Sequence, residues 1–403
     1  VTTFSKTDVA DRAGVDEDFV DRVASVGLIK PDAAGRFVAA DARRTQLAHS
    51  LEDESGIALS DLSDAVKHGL ISFEFMDAGP YERWASVGSE TFEEVSARTG
   101  VPLHLLMALR DATGGAMASP GERMREDELS MVPLLEQSAI VGYRPASMER
   151  ILRVLGENLR RVAETASELW RVDVIGGQLA SGMTALEMGE WTGSETPARF
   201  SSQVDHALLA VYHAQEAHTW GGNIIRVLES AIADAGIERR LDRPPAMCFL
   251  DITGYTRLTQ ERGDEAAAAL AGDLARLVQR TSASFGGRPV KWLGDGVMLH
   301  FRDPGSGVRA ALAMIDGVRE AGLPPAHVGL HAGPVIFQDG DYFGQTVNIA
   351  SRIAEYARPG EVVVSEEVVT ASAGAELDFR EIGPVELKGV STALRLYSVQ
   401  PSG

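Results

Sequence analysis

Cysteine is nearly absent: Cys248 is the single one in 403 residues. A lone thiol excludes an intrachain disulfide framework and fits a reducing compartment, so the cytoplasm is the expected location. Taken alone, Cys248 reads as a small apolar residue in a buried strand. Aromatic residues are scarce too, at 6% of the chain. No window offers the roughly eighteen consecutive apolar residues of a membrane-spanning helix, and no secretory signal pattern is visible, so no membrane association is expected. Basic charge is in deficit, with 38 Lys and Arg against 58 Asp and Glu and a formal net charge of −20. General affinity for nucleic acid or an anionic membrane comes from clustered cations and is disfavoured here.

What remains is an ordinary globular composition, 44% hydrophobic and 24% charged, in a chain long for one core. Two to three domains are expected, a regulator joined to an effector being the natural arrangement. The polar run Arg239, Arg240, Leu241, Asp242, Arg243 ends in Pro244-Pro245, which cannot continue a helix, so the main boundary is placed there. Before it the chain reads as all-α. Met148, Ile151, Leu152, Leu155, Leu159 and Val162 recur at three- and four-residue steps, which gives an amphipathic helix one buried face. Leu208, Val211, Tyr212, Ile224, Ile225, Leu228 and Ile232 continue that pattern.

After Pro245 short apolar runs alternate with glycine turns and amphipathic stretches. Strands are expected at Met247 to Asp251, Pro289 to Leu293, Val297 to Phe301, His327 to Ala332 and Glu361 to Val364, with an antiparallel tail that includes Arg395 to Val399. Helices are expected at Glu265 to Ser284, Val308 to Ala321 and Val347 to Tyr356. This βαββαβ order predicts an α+β domain of ferredoxin-like type, an antiparallel sheet with helices on one face.

The first hundred residues hold a weak internal repeat. Val9, Arg12, Gly14 and Val15 recur as Val95, Arg98, Gly100 and Val101, and each copy reads as a helix, a glycine turn and a second helix. The first copy runs on into Gly27-Leu28-Ile29-Lys30-Pro31 and Gly35-Arg36-Phe37, a wing-like hairpin, and then a helix at Ala40 to Glu54. The expected divisions are a winged helix-turn-helix at 1–75, a second such segment at 76–130, a helical transducer at 131–242 and the α+β domain at 243–403.

Two aspartates sit where a strand gives way to a tight turn. Asp251 follows the apolar run Met247 to Leu250, and Asp295 lies between Gly294 and Gly296. Hard divalent cations such as Mg²⁺ take oxygen ligands, and carboxylates fixed at strand ends converge with little rotamer freedom. A Gly-Asp-Gly hairpin alone is more often only a turn.

The wider pattern changes that balance. FLDITGYTRLT (Phe249 to Thr259), VKWLGDGVMLHF (Val290 to Phe301), GLHAGPV (Gly329 to Val335) and FGQTVNIASRI (Phe343 to Ile353) resemble the four signature segments of class III adenylyl and guanylyl cyclases. The resemblance covers roughly Pro245 to Val399, in the family's order and spacing.

It implies conversion of ATP to 3′,5′-cyclic AMP and pyrophosphate with two divalent metal ions, Mg²⁺ or Mn²⁺. Asp251 and Asp295 match the metal-binding aspartates, with the Ile252 carbonyl as an extra ligand. Asn348 and Arg352 match the residues that orient the ribose and stabilise the α-phosphate, and four-residue spacing on one helix puts both on one face. Lys291 and Asp341 match the purine-selecting pair, which favours adenine over guanine by its donor and acceptor pattern. Asp339, two residues away across Gly340, stays open as the alternative carboxylate. Lys388, in ELKGV, matches a triphosphate lysine, and Phe249 is expected near the nucleotide or in the core. In the family Lys291 and Asp295 serve different nucleotides, so a chain carrying both implies a homodimer with two equivalent sites.

Thr7 to about Leu70 resembles the winged helix-turn-helix of MerR-type regulators. Its recognition stretch Val15-Asp16-Glu17-Asp18-Phe19-Val20-Asp21-Arg22 is acidic, whereas a groove-reading helix presents Arg, Lys, Asn or Gln. Arg43 and Arg44 are the best basic pair available. DNA is therefore disfavoured as a partner, and dimerisation or sensing of a small-molecule effector is favoured for the N-terminal half. His206, His213 and His218 with Glu216 invite a metal reading, but His218 falls off the shared face and surface histidines explain them more simply. The alternative to a regulated cyclase is a ligand-responsive DNA-binding regulator whose cyclase-like domain senses nucleotide.

Overall fold

The computed structural model describes residues 3–73, 76, 86–235, 244–254, 260, 263–373 and 376–400. Tyr255 to Thr259 of the first signature segment and the polar run Arg239 to Arg243 lie outside the described residues. The chain divides into two compact units, Val1–Val227 and Leu228–Gly403. The division falls ahead of the Pro-Pro pair because the end of a long helix belongs to the second unit: Glu229 is ion-paired with Arg302.

In the first unit the sequence repeat is also a structural one. The first copy runs β1 (Thr3–Phe4), α1 (Lys6–Ala13), α2 (Glu17–Ser25), β2 (Phe37–Val38) and α3 (Ala39–Ser55), followed by α4 (Leu59–Lys67). The second runs β3 (Val87–Thr91), α5 (Phe92–Thr99), α6 (Leu103–Ala112), β4 (Arg123–Arg125) and α7 (Glu126–Val141). Capping boxes open α1 and α5 in the same way: Ser5 with Asp8, and Thr91 with Glu94. Gly14 and Gly100 close them at φ 71° and 74°, the left-handed region where a side chain is strained. The third helix of each copy begins over a buried carboxylate. Asp41 accepts from the Val38 amide at 2.9 Å, and Glu128 from the Arg125 amide at 2.7 Å.

Two expectations need correction here. Phe37 does not fold back in a wing of its own; β2 pairs antiparallel with β1, while Asp32 ties the intervening turn by accepting from the Ala34 and Arg36 amides. The amphipathic stretch from Met148 forms α8 (Pro145–Leu169), but only Met148 and Leu152 are buried. Ile151, Leu155, Leu159 and Val162 are exposed; α6 still abuts the helix at Gly156, where a Cβ would lie 2.6 Å from the Ala112 carbonyl oxygen, so Ile151 and Leu155 lie off the covered face. The unit continues through α9 (Gly176–Ala180) and α10 (Ala185–Thr192) into α11 (Glu195–Asp234), on which His206, His213 and His218 are exposed.

The second unit is built on a seven-stranded mixed sheet. Its strands are β5 (Ala246–Ile252), β6 (Gly287–Leu293), β7 (Gly296–Phe301), β8 (Ala326–Ala332), β11 (Val362–Ser365), β12 (Asp378–Val385) and β13 (Leu394–Gln400). They lie in the order β12-β13-β11-β8-β5-β7-β6. Its helices are α12 (Asp264–Ser284), α13 (Pro304–Glu320), α14 (Gln345–Tyr356) and the short α15 (Glu366–Ala371). The small hairpin β9 (Ile336–Gln338) and β10 (Asp341–Phe343) stands apart from the sheet.

The sheet is not wholly antiparallel, since β8 and β11 pair in parallel, and helices cover both of its faces. Ala246, Cys248, Leu250 and Ile252 of β5 pack with Leu274 and Val278 of α12 and Val308, Ala311 and Met314 of α13. Met247 and Phe249 point the other way and pack with Ala350 and Ala354 of α14. A strand buried on both sides reads as a continuous apolar run, which is how β5 appears in the sequence. Close approach of α14 depends on Gly329, where a Cβ would lie 2.1 Å from the Ala354 nitrogen.

Candidate active site

β5 pairs antiparallel with β7 so that Asp251 faces Gly296, and Asp295 precedes Gly296 in a turn opened by Gly294 at φ 68°. The two carboxylates are thereby brought to one end of adjacent strands. Partial burial first, and the charge of Asp295 second, push the Asp251 pKa up; His327 and the Ile252 amide pull it down more weakly. The Asp251 side chain keeps 44% of its surface exposed, so it is open to a ligand. Ile252 beside it is buried, leaving only main-chain atoms to offer.

The sequence reading missed His327. It lies opposite Asp251 on β8, the other neighbour of β5, with Nε2 3.6 Å from Asp251 Oδ2 and Nδ1 3.4 Å from Thr253 Oγ1. Only strand register brings it there, and register across 76 positions has no local signature.

Lys291 on β6 is ion-paired with Asp341 on β10, and its ammonium lies 5.9 Å from the centroid of the Phe343 ring. Asp341 also accepts from the Tyr342 amide at 2.8 Å. Asp339, the alternative carboxylate, occupies the hairpin tip at φ 55° beside Gly340. Phe249 is buried with Met247, Met298 and Tyr342.

Asn348 and Arg352 stand one turn apart on α14, where Thr346 donates to the Pro334 carbonyl at 2.7 Å and anchors the first turn. Arg352 Nη1 reaches both oxygens of Glu355, at 2.5 and 2.6 Å. Lys388 is exposed in the turn between β12 and β13. Its neighbour Leu387 is buried with Ile349 and Ile353 of α14, which holds that turn at the helix. Among the described residues no hydrogen bond or ion pair joins Asn348, Arg352 or Lys388 to the Asp251 and Asp295 pair within one chain, and no three His, Cys, Asp or Glu side chains gather as a metal site.

Residues 242–400 match the family described as the adenylate and guanylate cyclase catalytic domain. This segment is a nucleotide cyclase catalytic domain. Beyond it, the chain is similar to a pH-sensitive adenylate cyclase of Mycobacterium tuberculosis, 28% identical over 325 residues, with 76% of this chain and 77% of that protein covered. An adenylate cyclase of Streptomyces coelicolor is 27% identical over 281 residues, 67% of this chain and 68% of that protein. Among solved structures, the adenylyl cyclase CyaB from P. aeruginosa is 25% identical and covers 40% of this chain and 94% of its own, at a TM-score of 0.36. The helical first unit precedes the cyclase domain, and no helix among the described residues is long and apolar enough to cross a membrane.

Proposed function

We propose that the chain is an adenylate cyclase, making cyclic AMP and pyrophosphate from ATP at sites shared between two copies, with its helical first unit setting the rate. The observation that carries ATP over GTP is the Lys291–Asp341 pair. The ammonium can donate to adenine N1 and the carboxylate can accept from the N6 amine; guanine presents the opposite groups and would leave both mismatched. Relatives named as adenylate cyclases support the same choice.

Asp251 and Asp295 suit a divalent ion: two hard oxygen donors at strand ends, close enough that one raises the pKa of the other, beside a glycine that leaves the space open. Together with the Ile252 carbonyl they would hold it. Two bound divalent ions, Mg²⁺ or Mn²⁺, supply acidification of the ribose 3′-hydroxyl and charge neutralisation at the triphosphate. Arg352 would release Glu355 to meet the α-phosphate, Asn348 would orient the ribose, and Lys388 would contact the triphosphate. Lys291 and Asp295 lie four residues apart across a tight turn, and the roles read for them belong to opposite ends of one nucleotide. A homodimer resolves this by giving each nucleotide the Asp295 of one chain and the Lys291 of the other. Exposed Trp292, Leu293, Ile336, Phe337 and Phe343 are apolar surface that a second copy would cover. The strand order β8-β5-β7-β6 supports a ferredoxin-like core beneath this site.

For the first unit we read the MerR-like segment at 1–75 and its repeat at 76–130 as a sensing or dimerising module in the cytoplasm, joined by the transducer at 131–242 to the domain at 243–403. Several of its cations are engaged within the chain. Lys6 pairs with Asp21 at 2.9 Å, Arg22 with Glu52 at 2.6 Å, and Arg43 donates to the Met76 carbonyl at 2.9 Å. That supports a small-molecule effector over DNA.

The test is production of cyclic AMP from ATP, and of cyclic GMP from GTP, by the purified chain with Mn²⁺. Cyclic AMP is expected, abolished by Asp251→Ala or Asp295→Ala, and changed several-fold when residues 1–240 are removed. A preference for GTP, or no cyclic nucleotide from either substrate, would overturn the reading.

A further inference from the structure

Strand β6 carries one residue more than its partner. Pro289 lies opposite Leu299 and Lys291 opposite Met298, which leaves Val290 unmatched in a bulge. In a regular strand Arg288 and Lys291, three apart, would point to opposite faces. Here Arg288 lies opposite His300 and Lys291 opposite Met298, two β7 residues that share a face. The bulge therefore turns both cations toward the β9–β10 hairpin.

The hairpin is gripped at two consecutive residues. Lys291 pairs with Asp341, and Arg288 Nη2 donates to the Tyr342 hydroxyl at 2.9 Å. The Tyr342 ring is 8% exposed and stacks on His300 with centroids 4.4 Å apart and planes 4° from parallel. Phe337 leans on the other strand of the hairpin, 5.0 Å from Tyr342, with the Arg288 guanidinium 5.5 and 5.6 Å from the two rings. A two-stranded hairpin of three residues per strand has little stability of its own. The place of Asp341 is thus set by the anchorage of Tyr342, whose amide also orients the Asp341 carboxylate.

We propose that Tyr342, clamped by Arg288 and His300, is a positioning residue for purine selection: it fixes where Asp341 stands relative to Lys291. This rests on the reading of Lys291 and Asp341 as the base-selecting pair. Tyr342 touches no substrate in this scheme. Its removal should relax the choice of base while leaving the phosphate chemistry in place.

The experiment compares Tyr342→Phe, Arg288→Met, Asp341→Ala and the double variant Tyr342→Phe/Asp341→Ala in the full chain with Mn²⁺, measuring kcat and KM for ATP and GTP. Tyr342→Phe keeps the ring stack, and Arg288→Met keeps the stem, so both preserve apolar packing. Each is expected to lower the ATP-to-GTP ratio of kcat/KM by about threefold to tenfold, mainly through KM for ATP, with kcat within about twofold. Asp341→Ala should lower the ratio at least as far, and the double variant no further, because the tyrosine acts through the aspartate. Additive losses, or a fall in kcat at constant KM, would overturn the proposal and leave Tyr342 as hairpin packing alone. A ratio unmoved by Asp341→Ala would instead overturn the base-selecting reading, and the proposal with it.

Discussion

Gly296 lies opposite Asp251 across the β5–β7 ladder, and a Cβ there would stand 2.9 Å from Asp251 Oδ1 and 3.2 Å from the Leu250 carbonyl oxygen. The glycine is in ordinary strand conformation, so what it supplies is room for a carboxylate. Gly296→Ala should push the Asp251 side chain off its position while the ladder stays paired. Expected are a fall in kcat/KM of about tenfold or more and a small change in stability, within the cost of a shifted surface side chain. Steady-state kinetics beside a thermal melt would decide it: a variant that keeps full activity would mean that the Asp251 position is not critical.

The raised pKa of Asp251 has a consequence for stability. A carboxyl whose pKa rises on folding holds its proton more tightly in the folded chain. Its contribution is therefore most favourable below the unfolded value of about 3.9, and is lost as pH rises through the higher folded value. At neutral pH and in chelator, Asp251→Asn should be the more stable protein, as expected where a site is arranged for function. The difference in Tm should close as pH falls below about 4. An unchanged or lower Tm for the variant at pH 7 would show that repulsion and burial at Asp251 are already compensated.

Gly329→Ala should act through stability. The added Cβ would meet main-chain atoms of α14, the Ala354 nitrogen at 2.1 Å and its Cα at 2.6 Å, and backbone cannot swing aside as a side chain can. Destabilisation of about 3 kcal/mol, at the upper end of overpacking costs, is expected. Since α14 carries Asn348 and Arg352, the folded fraction should also turn over more slowly. Chemical denaturation would measure the first effect, and kinetics normalised to folded protein the second.

Much of the cyclase domain was legible because its strands are short apolar runs between glycines. Expected strands such as Met247 to Asp251 and Val297 to Phe301 lie within one residue of β5 and β7. The internal repeat was legible for the same reason, since Gly14 and Gly100 punctuate helices with matching caps. What escaped depends on distant pairing. The parallel β8–β11 ladder, the hairpin holding Asp341 and the placing of His327 beside Asp251 are set by register and bulges, which leave no periodicity in a single strand. The exposed face of α8 shows the converse: its 3.6-residue pattern is plain from Ile151 to Val162, yet the pattern does not say whether its cover comes from the same chain.

The shared site makes the most specific prediction. Lys291 and Asp295 are separated by one turn of chain, and the roles read for them lie at opposite ends of a nucleotide. Asp295→Ala leaves a chain with its base- and ribose-contacting residues but without its carboxylate pair. Arg352→Ala leaves the carboxylates but removes the cation that would meet the α-phosphate, freeing Glu355 of its partner on an exposed helix face where the cost to folding is small. Each homodimer should be nearly inactive, because each of its two sites contains one damaged half. In a mixed dimer the lesions segregate: one site collects both, and the other is built from intact residues alone. With random exchange, half of the dimers are mixed and each has one working site, so the mixture should recover roughly a quarter of wild-type activity if sites act independently. Native mass spectrometry can confirm exchange, and cyclic AMP production then gives the answer. Exchange without recovered activity would mean that each site is assembled within one chain, or that both sites of a dimer must be intact to work.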